Sequence, residues 1–349
     1  MRKVKRKVRL EDVAREAGVS LGTASKALSS PDKVKPDTLK KVKDAVARMG
    51  YVRNGVARSL ASRKTWRVAV VYPTLKNPMF SNSIDSLQQS LLSMGYQLVI
   101  GSHEYNKKYE IKVLQALVES GIDGAILVGT DHDDAVFQML VRYEIPYLMM
   151  WSTDETSYPH TVGFSNRRAA YEIAKHVISC GHRQVALCGG PEENNERSRQ
   201  RRAGFLAALE EENIDIKAEW LIETPFSLDG GREVVKRLLA SGELPTVLIC
   251  GTDLHAIGAM HQCQLSDIDV PGELSITGFD DIEFASAMSP GLTTVRVPMH
   301  DIGIEVARAI VAIIDNEAPV EALELETVII ERESLRLLKN NETDVKTKD

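Results

Sequence analysis

Small and hydrogen-bonding residues are concentrated at the start of one short predicted helix near the beginning of the chain. Ser20 offers a side-chain oxygen that can cap a helix from about Leu21 to Leu28. The side opposite its apolar face would carry Leu21, Gly22, Thr23, Ser25 and Lys26. Lys26 can donate to guanine O6 and N7, and Leu21 can contact a thymine methyl group. The hydroxyls of Thr23 and Ser25 suit phosphate oxygens, so the pattern predicts a helix that reads DNA.

Two further helices are predicted around this one. The first has apolar residues at helical spacing: Leu10, Val13, Ala14 and Ala17. Gly18 follows as a typical helix stop, and two short helices joined by Gly-Val-Ser form a helix-turn-helix pattern. A third helix would begin near Pro36 and end at Gly50. We therefore expect an all-α helix-turn-helix head in residues 1–52.

The charge of the chain is divided unevenly between its two parts. Residues 1–64 contain 18 Lys and Arg against 6 Asp and Glu, a net charge of +12. The whole chain has a net charge of −6, which leaves −18 for the remainder. A basic head on an acidic body indicates a polyanion partner for the head alone, whereas a solvated tail would account only for Arg2–Arg9.

From Trp66 onward, short apolar runs alternate with amphipathic helical stretches. Strands are predicted at 67–72, 97–101, 124–129, 147–150, 184–188, 246–250 and 274–278, and helices near 80–94, 108–120, 133–143, 167–180, 198–212, 229–241, 253–264 and 300–315. This alternation is typical of parallel sheets covered by helices on both faces. It is too long for one sheet, so we expect an α/β body of two doubly wound parallel-sheet lobes. Ligands of such sheets bind beyond the carboxyl ends of the strands, here in a cleft between the lobes.

Several functions are disfavoured by what the sequence lacks. It contains no phosphate-loop, dinucleotide-binding, zinc-protease or serine-hydrolase motif, and its 8 histidines are dispersed. The four cysteines are scattered, as expected of structural thiols in a reducing compartment. No apolar run reaches the roughly 18 residues of a membrane span. We therefore expect a cytoplasmic protein that is not an enzyme and has no cofactor, metal or membrane partner.

Motifs across about residues 8–335 resemble those of the LacI family of bacterial repressors in both order and spacing. They include Leu-Glu-Asp-Val-Ala-Arg-Glu-Ala-Gly-Val-Ser (10–20), Val-Ala-Arg-Ser-Leu (56–60), Asn-Pro-Met-Phe (77–80), Gly-His-Arg (181–183), Arg-Ala-Gly-Phe (202–205) and Pro-Gly-Glu-Leu-Ser-Ile-Thr-Gly-Phe-Asp-Asp (271–281). The resemblance implies a homodimer that binds a near-palindromic operator. It also implies a periplasmic-binding-protein-like body that takes a small effector.

The resemblance also suggests how the chain is divided. Residues 53–65 would form a hinge helix and linker, and residues 66–338 an effector-binding and dimerisation domain. Its N-terminal lobe would comprise about 66–163 and 294–324, and its C-terminal lobe about 164–293 and 325–338. The polar residues 339–349 would form a disordered tail without an added tetramerisation helix.

Three residues match the hinge helix of the family. Leu60 would pair with its twin as a wedge in the minor groove at the operator centre, and Asn54 and Ala57 match the same helix. Alternatively, Leu60 packs only between the two copies. The segment is too short to be stable in isolation, so we expect it to become ordered when two copies pack together over DNA.

For the effector cleft, Arg201 and Asp280 stand where the family places a contacting arginine and carboxylate. Such a pair across a cleft suits a hydroxyl-rich ligand, because a guanidinium donates as a fork and a carboxylate accepts. The alternative is an inter-lobe ion pair without a ligand. Phe80 is compatible with stacking on a ligand ring and equally with a place in the core.

Departures from the family pattern indicate an unusual effector. Thr252 replaces a common asparagine, and Ser165 a common aspartate, which puts the usual contacts to neutral sugars in doubt. Arg197 and Arg201 are four residues apart and would share one helix face. We hypothesise an anionic effector such as a sugar acid or sugar phosphate, the alternative being a solvated arginine-rich surface. A second interpretation of the whole chain is a sugar-binding sensor without sequence-specific DNA binding.

Overall fold

The computed structural model describes residues 8–52, Gly55, Ser59, 64–153, 160–316 and 321–338. The chain divides into two compact units, Met1–Thr65 and Trp66–Asp349, which we call the head and the body. Across the described ranges, no helix is both long enough and apolar enough to cross a membrane.

The head contains three helices whose ends follow from local sequence. They are α1 Leu10–Ala17, α2 Leu21–Ser29 and α3 Pro36–Met49. Gly18 and Gly50 end α1 and α3 with φ values of 66° and 60°, a left-handed conformation that glycine adopts without strain. Ser20 caps α2, its hydroxyl accepting from the Thr23 amide at 3.1 Å. The three helices enclose a small core made of Val13, Ala17, Ala27, Val42 and Ala45.

The body contains two six-stranded sheets, one in each lobe. The strands of the first lobe are β1 Arg67–Tyr72, β2 Gln97–Ser102, β3 Gly124–Val128, β4 Tyr147–Met150, β5 Thr161–Gly163 and β11 Leu323–Glu324. Those of the second lobe are β6 Val185–Gly189, β7 Leu221–Glu223, β8 Val247–Cys250, β9 Ser275–Asp280, β10 Thr293–Arg296 and β12 Val328–Ile330. The strand orders are β11-β5-β4-β3-β1-β2 and β12-β10-β9-β8-β6-β7.

Nine helices described in the body accompany these strands. Those of the first lobe are α4 Met79–Ser93, α5 Lys107–Glu119, α6 Asp134–Arg142 and α12 Met299–Ile314. Those of the second lobe are α7 Asn166–Ser179, α8 Glu196–Glu211, α9 Leu228–Ala240, α10 Asp253–Leu265 and α11 Glu283–Ala287. The central strands β3, β8 and β9 are buried along their whole length, as expected where helices cover both faces. The predicted helix-turn-helix head and two-lobed α/β body are thus confirmed.

The second of the three crossings between the lobes falls later than we predicted. We expected the first lobe to resume at about residue 294, but β10 pairs in parallel with β9 of the second sheet, with Thr294 opposite Gly278. Residues Thr293 to Val295 are buried there, so this strand completes the core of the second lobe. The chain returns to the first lobe with α12, which packs against α4. The second sheet is also not wholly parallel, because β12 runs antiparallel to β10.

Candidate DNA-binding face and effector cleft

The exposed side of α2 and the turn that follows it form one shallow groove on the head. The groove is lined by Ser20, Gly22, Thr23, Lys26, Lys33, Val34, Lys35 and Thr38. Lys26, Lys33 and Lys35 are all exposed, so three ammonium groups stand beside hydroxyls on one surface. This combination suits a phosphate backbone with exposed base edges between its strands.

The structure brings together only part of the predicted DNA-binding set. Gly22, Thr23 and Lys26 line the groove. Leu21 is 46% exposed at the start of α2, and Ser25 is half-buried on the same helix. Asn54, Ala57 and Leu60 lie outside the described residues. The sequence pattern did not identify Lys33, Lys35 and Thr38, although their basic and hydroxyl character was a usable signal.

A polar cleft lies between the carboxyl ends of the two sheets of the body. Its space amounts to about 280 Å³ when the open solvent at its mouth is included. It is lined by Asn77, Met79, Phe80, Tyr105, Asn195, Arg197, Ser198, Arg201, Phe226 and Thr252. Segments after β1 and β2 supply the first lobe's side, and α8 with the segments after β6, β7 and β8 supplies the other. This is the edge of a doubly wound sheet at which ligands bind. Of the predicted effector contacts, Asp280 alone is not among these lining residues.

Arg201 is the most heavily coordinated group of the cleft. Its Nε donates to Asn166 Oδ1 at 2.9 Å, and its Nη1 donates to the Gly251 carbonyl at 2.7 Å and to Asp280 Oδ1 at 3.4 Å. The guanidinium carbon lies 3.9 Å from the centre of the Phe279 ring. Burial raises the pKa of Asp280 to about 7, although the nearby Arg201 charge opposes that rise.

The relation between Arg201 and Asp280 differs from our expectation. We predicted a pair that faces across the cleft, or else an inter-lobe ion pair. Arg201 lies on α8 and Asp280 ends β9, and both elements belong to the second lobe. The prediction of a pair across the cleft was wrong, and it conflicted with our own division of the chain, which placed residues 201 and 280 in the same lobe. The pair therefore shapes one wall of the cleft, with Asp280 behind Arg201.

Arg197 and its neighbours tie the second lobe to the first. Arg197 Nη1 donates to the Val128 carbonyl at 3.1 Å and to Glu196 Oε1 at 3.0 Å. The same carboxylate oxygen accepts from the Thr130 amide at 2.9 Å. Beside these, a more exposed ion pair joins Asp131 to Arg199 across the lobes, and Asp131 also pairs with Lys107 within the first lobe. We call this set of contacts, from 196–199 to 128–131, the clasp.

Gly129 lies at the centre of the clasp and has a φ of 92°. An added Cβ would overlap the Arg197 guanidinium and the Glu196 carboxylate. We expect Gly129→Ala to open the clasp and weaken effector binding about tenfold, since fewer molecules would then hold the two lobes together around the cleft. Titration calorimetry would measure this. Gly95→Ala is the matched control, because Gly95 has a φ of 84° but open space around its Cβ position. Equal effects of both substitutions would contradict the role of the clasp.

Two of the predicted cleft residues also have structural partners. Phe80 is buried and its ring meets that of Trp151 at 5.2 Å in an edge-on arrangement, so it belongs to the core as well as to the cleft lining. Thr252 caps α10, where its hydroxyl accepts from the His255 amide at 3.3 Å. Either side chain can contact a ligand only with the face that these partners leave open.

Three residues that the sequence pattern did not single out complete the cleft. The rings of Tyr105 and Phe226 stack across the two lobes with centroids 5.7 Å apart. Burial raises the pKa of the Tyr105 phenol, while Arg197 and Arg201 oppose that rise. Among the described residues, the buried Asn195 Oδ1 has no hydrogen-bond partner, which marks a free acceptor beside the two arginines.

A basic helix-turn-helix head and a two-lobed body with a polar cleft define a DNA-binding regulator of transcription. Family models described as "Bacterial regulatory proteins, lacI family" and "Periplasmic binding protein-like domain" match residues 9–54 and 174–335. The chain is 30% identical to catabolite control protein A of Priestia megaterium, over 89% of this chain and 93% of that protein. The protein belongs to the LacI family of bacterial regulatory proteins, which also includes the transcriptional repressor PurR of Photorhabdus laumondii.

Solved structures of similar proteins share this architecture. The Lac repressor bound to ONPG in its repressed state superposes with a TM-score of 0.82 at 25% identity, over 94% of this chain and 100% of that one. The complex of the transcriptional regulator CelR with cellobiose has a TM-score of 0.69 at 26% identity, over 94% and 100% of the two chains.

Proposed function

We propose that this protein is a repressor that binds a near-palindromic operator as a homodimer, in the bacterial cytoplasm. Its DNA affinity would be controlled by a small carbohydrate-like effector of the sugar-acid or sugar-phosphate class. The lining of the cleft is the observation that supports an anionic effector. Among the described residues, this lining includes two buried arginines and no carboxylate.

The other cleft residues support a ligand that also bears hydroxyl groups. Asn195 Oδ1 needs a donor, and a ligand hydroxyl would supply one. The aromatic rings of Phe80, Tyr105 and Phe226 offer apolar surfaces for the faces of a sugar ring. Cellobiose in the related CelR structure supports a carbohydrate effector, although not an acidic one.

A dimer is supported by apolar side chains that the body leaves exposed. They include Ile100 on the edge strand β2, Tyr109 on α5, Leu265 on α10 and Phe284 on α11. Large exposed apolar residues on both lobes are expected where a second copy packs. Two heads held by such a dimer would read two half-sites, and effector and DNA affinities would be linked in both directions.

Calorimetric titration with D-glucose, D-gluconate and D-glucose 6-phosphate tests the effector class. We expect at least one of the two acidic compounds to bind about tenfold or more tightly than glucose, because each charge-assisted hydrogen bond is about twice as strong as a neutral one. Arg197→Met should remove that preference. Arg237→Met, which changes an exposed arginine paired with Glu233, is the control. Tighter binding of the neutral sugar would contradict the proposal.

Binding of an acidic effector should also take up a proton near pH 7. Burial raises the pKa of Asp280 to about 7, and Arg201 faces its carboxyl group. His255 and Asp253 also interact electrostatically with Asp280. A second anion at Arg201 would raise that pKa further, so affinity should increase as the pH falls from about 8 to about 6. Calorimetry in buffers of different ionisation enthalpy measures the uptake. Asp280→Asn should abolish it, and an unchanged uptake in that variant would exclude Asp280 as the source.

A further inference from the structure

A second cavity opens behind the cleft, inside the second lobe. Its space amounts to about 490 Å³ when the open solvent at its mouth is included. It is lined by Leu187, Cys188, Gly189, Gly190, Glu192, Ser198, Arg201, Arg202, Phe205, Leu221, Ile222, Glu223, Phe226 and Gly251. We call it the side pocket. It lies at the carboxyl ends of β6, β7 and β8, beneath the first half of α8.

The walls of the side pocket are mainly apolar. Leu187, Phe205 and Ile222 are buried and contribute hydrocarbon or aromatic surface. Charged groups lie among its lining as well, where Arg202 pairs with Glu192 at 2.8 Å and both side chains remain partly exposed. An apolar interior with a few charged groups near its edge is typical of a site for a hydrophobic part of a small molecule.

The side pocket is continuous with the polar cleft. Ser198, Arg201 and Phe226 belong to the lining of both. Phe226 stacks on Tyr105 on its cleft side, and its ring lies so close to Gly190 that a Cβ there would overlap it. A ligand held at Arg201 would therefore reach the side pocket by passing the Phe226 ring.

Gly189 keeps part of the side pocket open. It is the last residue of β6, and a Cβ built on it would have no atom within 4 Å. Gly189 has no positive φ, so a larger side chain can be introduced without backbone strain. The space beside Gly189 is therefore open because this strand position has a glycine, although the backbone there would accept most other residues.

We propose that the natural effector carries an apolar ring or short hydrocarbon group, which occupies the side pocket while its anionic part binds at Arg197 and Arg201. This inference rests on the proposed function, because it extends the same effector site. It assigns the ligand class more narrowly, as an acidic carbohydrate-like compound with a hydrophobic substituent. The pocket and the arginines together select for such a compound, since neither an acid alone nor a hydrocarbon alone would satisfy both regions.

Titration of the full chain with methyl phosphate and phenyl phosphate tests this inference. Both probes carry the same anionic group, and they differ in whether an apolar ring is attached. We expect phenyl phosphate to bind about 10- to 100-fold more tightly, the range seen for small apolar groups in hydrophobic pockets. Gly189→Leu should fill the side pocket and remove this gain without changing the affinity for methyl phosphate, whereas Gly189→Ala should retain most of it. A thermal unfolding curve for each variant controls for loss of the fold.

The outcomes separate this inference from the proposed function. If methyl phosphate binds and phenyl phosphate binds no more tightly, the side-pocket assignment is wrong and the anionic cleft stands. If the gain persists in Gly189→Leu, the ring binds elsewhere and the assignment is again wrong. If neither probe binds at millimolar concentration, the anionic cleft and the side-pocket assignment both fail.

Discussion

Replacement of Arg201 by methionine should abolish the response of DNA binding to any acidic sugar that the native protein binds. Methionine keeps an unbranched apolar stem but has no guanidinium. It therefore loses the donors to Asn166, Gly251 and Asp280 and the contact of that group with the Phe279 ring. We also expect the free energy of unfolding to fall by about 3–5 kcal/mol, the cost of breaking a buried pair from one side. The loss should grow between pH 6 and pH 8, because ionised Asp280 would then be a buried charge without its partner.

A double variant separates the two effects of Arg201. Arg201→Met combined with Asp280→Asn removes the unpaired charge, so we expect part of the stability to return while the effector response stays absent. Chemical denaturation measures the first quantity, and fluorescence anisotropy of labelled DNA with and without the sugar measures the second. A single Arg201→Met variant that still responds to the sugar would show that this arginine is not an effector contact.

Replacement of Lys26 by glutamate should weaken binding to the preferred DNA site about 100-fold or more at physiological salt. Lys26 projects from the exposed side of α2 in the groove shared with Lys33 and Lys35. In a dimer the change removes two base-edge donors, each worth about 1–3 kcal/mol, and places two carboxylates near phosphates. Anisotropy titrations over a range of salt concentrations measure the loss.

Lys43→Glu provides the matched control for this experiment. Lys43 is exposed on α3 and is not among the residues that line the groove. Its replacement by glutamate changes the net charge of the head by the same amount as Lys26→Glu. We expect its effect to be only several-fold and to vanish at high salt, since it acts through screened electrostatics. Equal losses for the two variants would mean that the head binds DNA by net charge rather than through α2.

The long elements of the fold could be predicted because their patterns are strong. Helix α3 and strands β1 and β4 have bounds within one residue of those read from the sequence. Five strands of two to four residues, β5, β7, β10, β11 and β12, were not predicted, since segments this short show little alternation. These strands form because they pair with neighbouring strands, and that pairing cannot be predicted from the local sequence.

The candidate site was predictable only in part, for a similar reason. Phe80 and Arg201 could be proposed from the family pattern, and Arg197 and Thr252 from departures from it. All four line the cleft. Tyr105 and Phe226 stack from different lobes, and nothing in the local sequence relates one to the other. The sequence division placed Arg201 and Asp280 in one lobe, but it did not reveal that their side chains are in direct contact, because that depends on how β9 and α8 pack.

Selection of bound duplexes from a random DNA pool, with and without the acidic sugar that binds most tightly, tests the central claim most directly. The claim is that a dimer of this protein reads a specific DNA sequence under the control of an effector. It predicts enrichment of one palindromic motif with two half-sites, and a change in the bound fraction when the sugar is added. Recovery of no motif under either condition would contradict it and would favour a sugar-binding sensor without sequence-specific DNA binding.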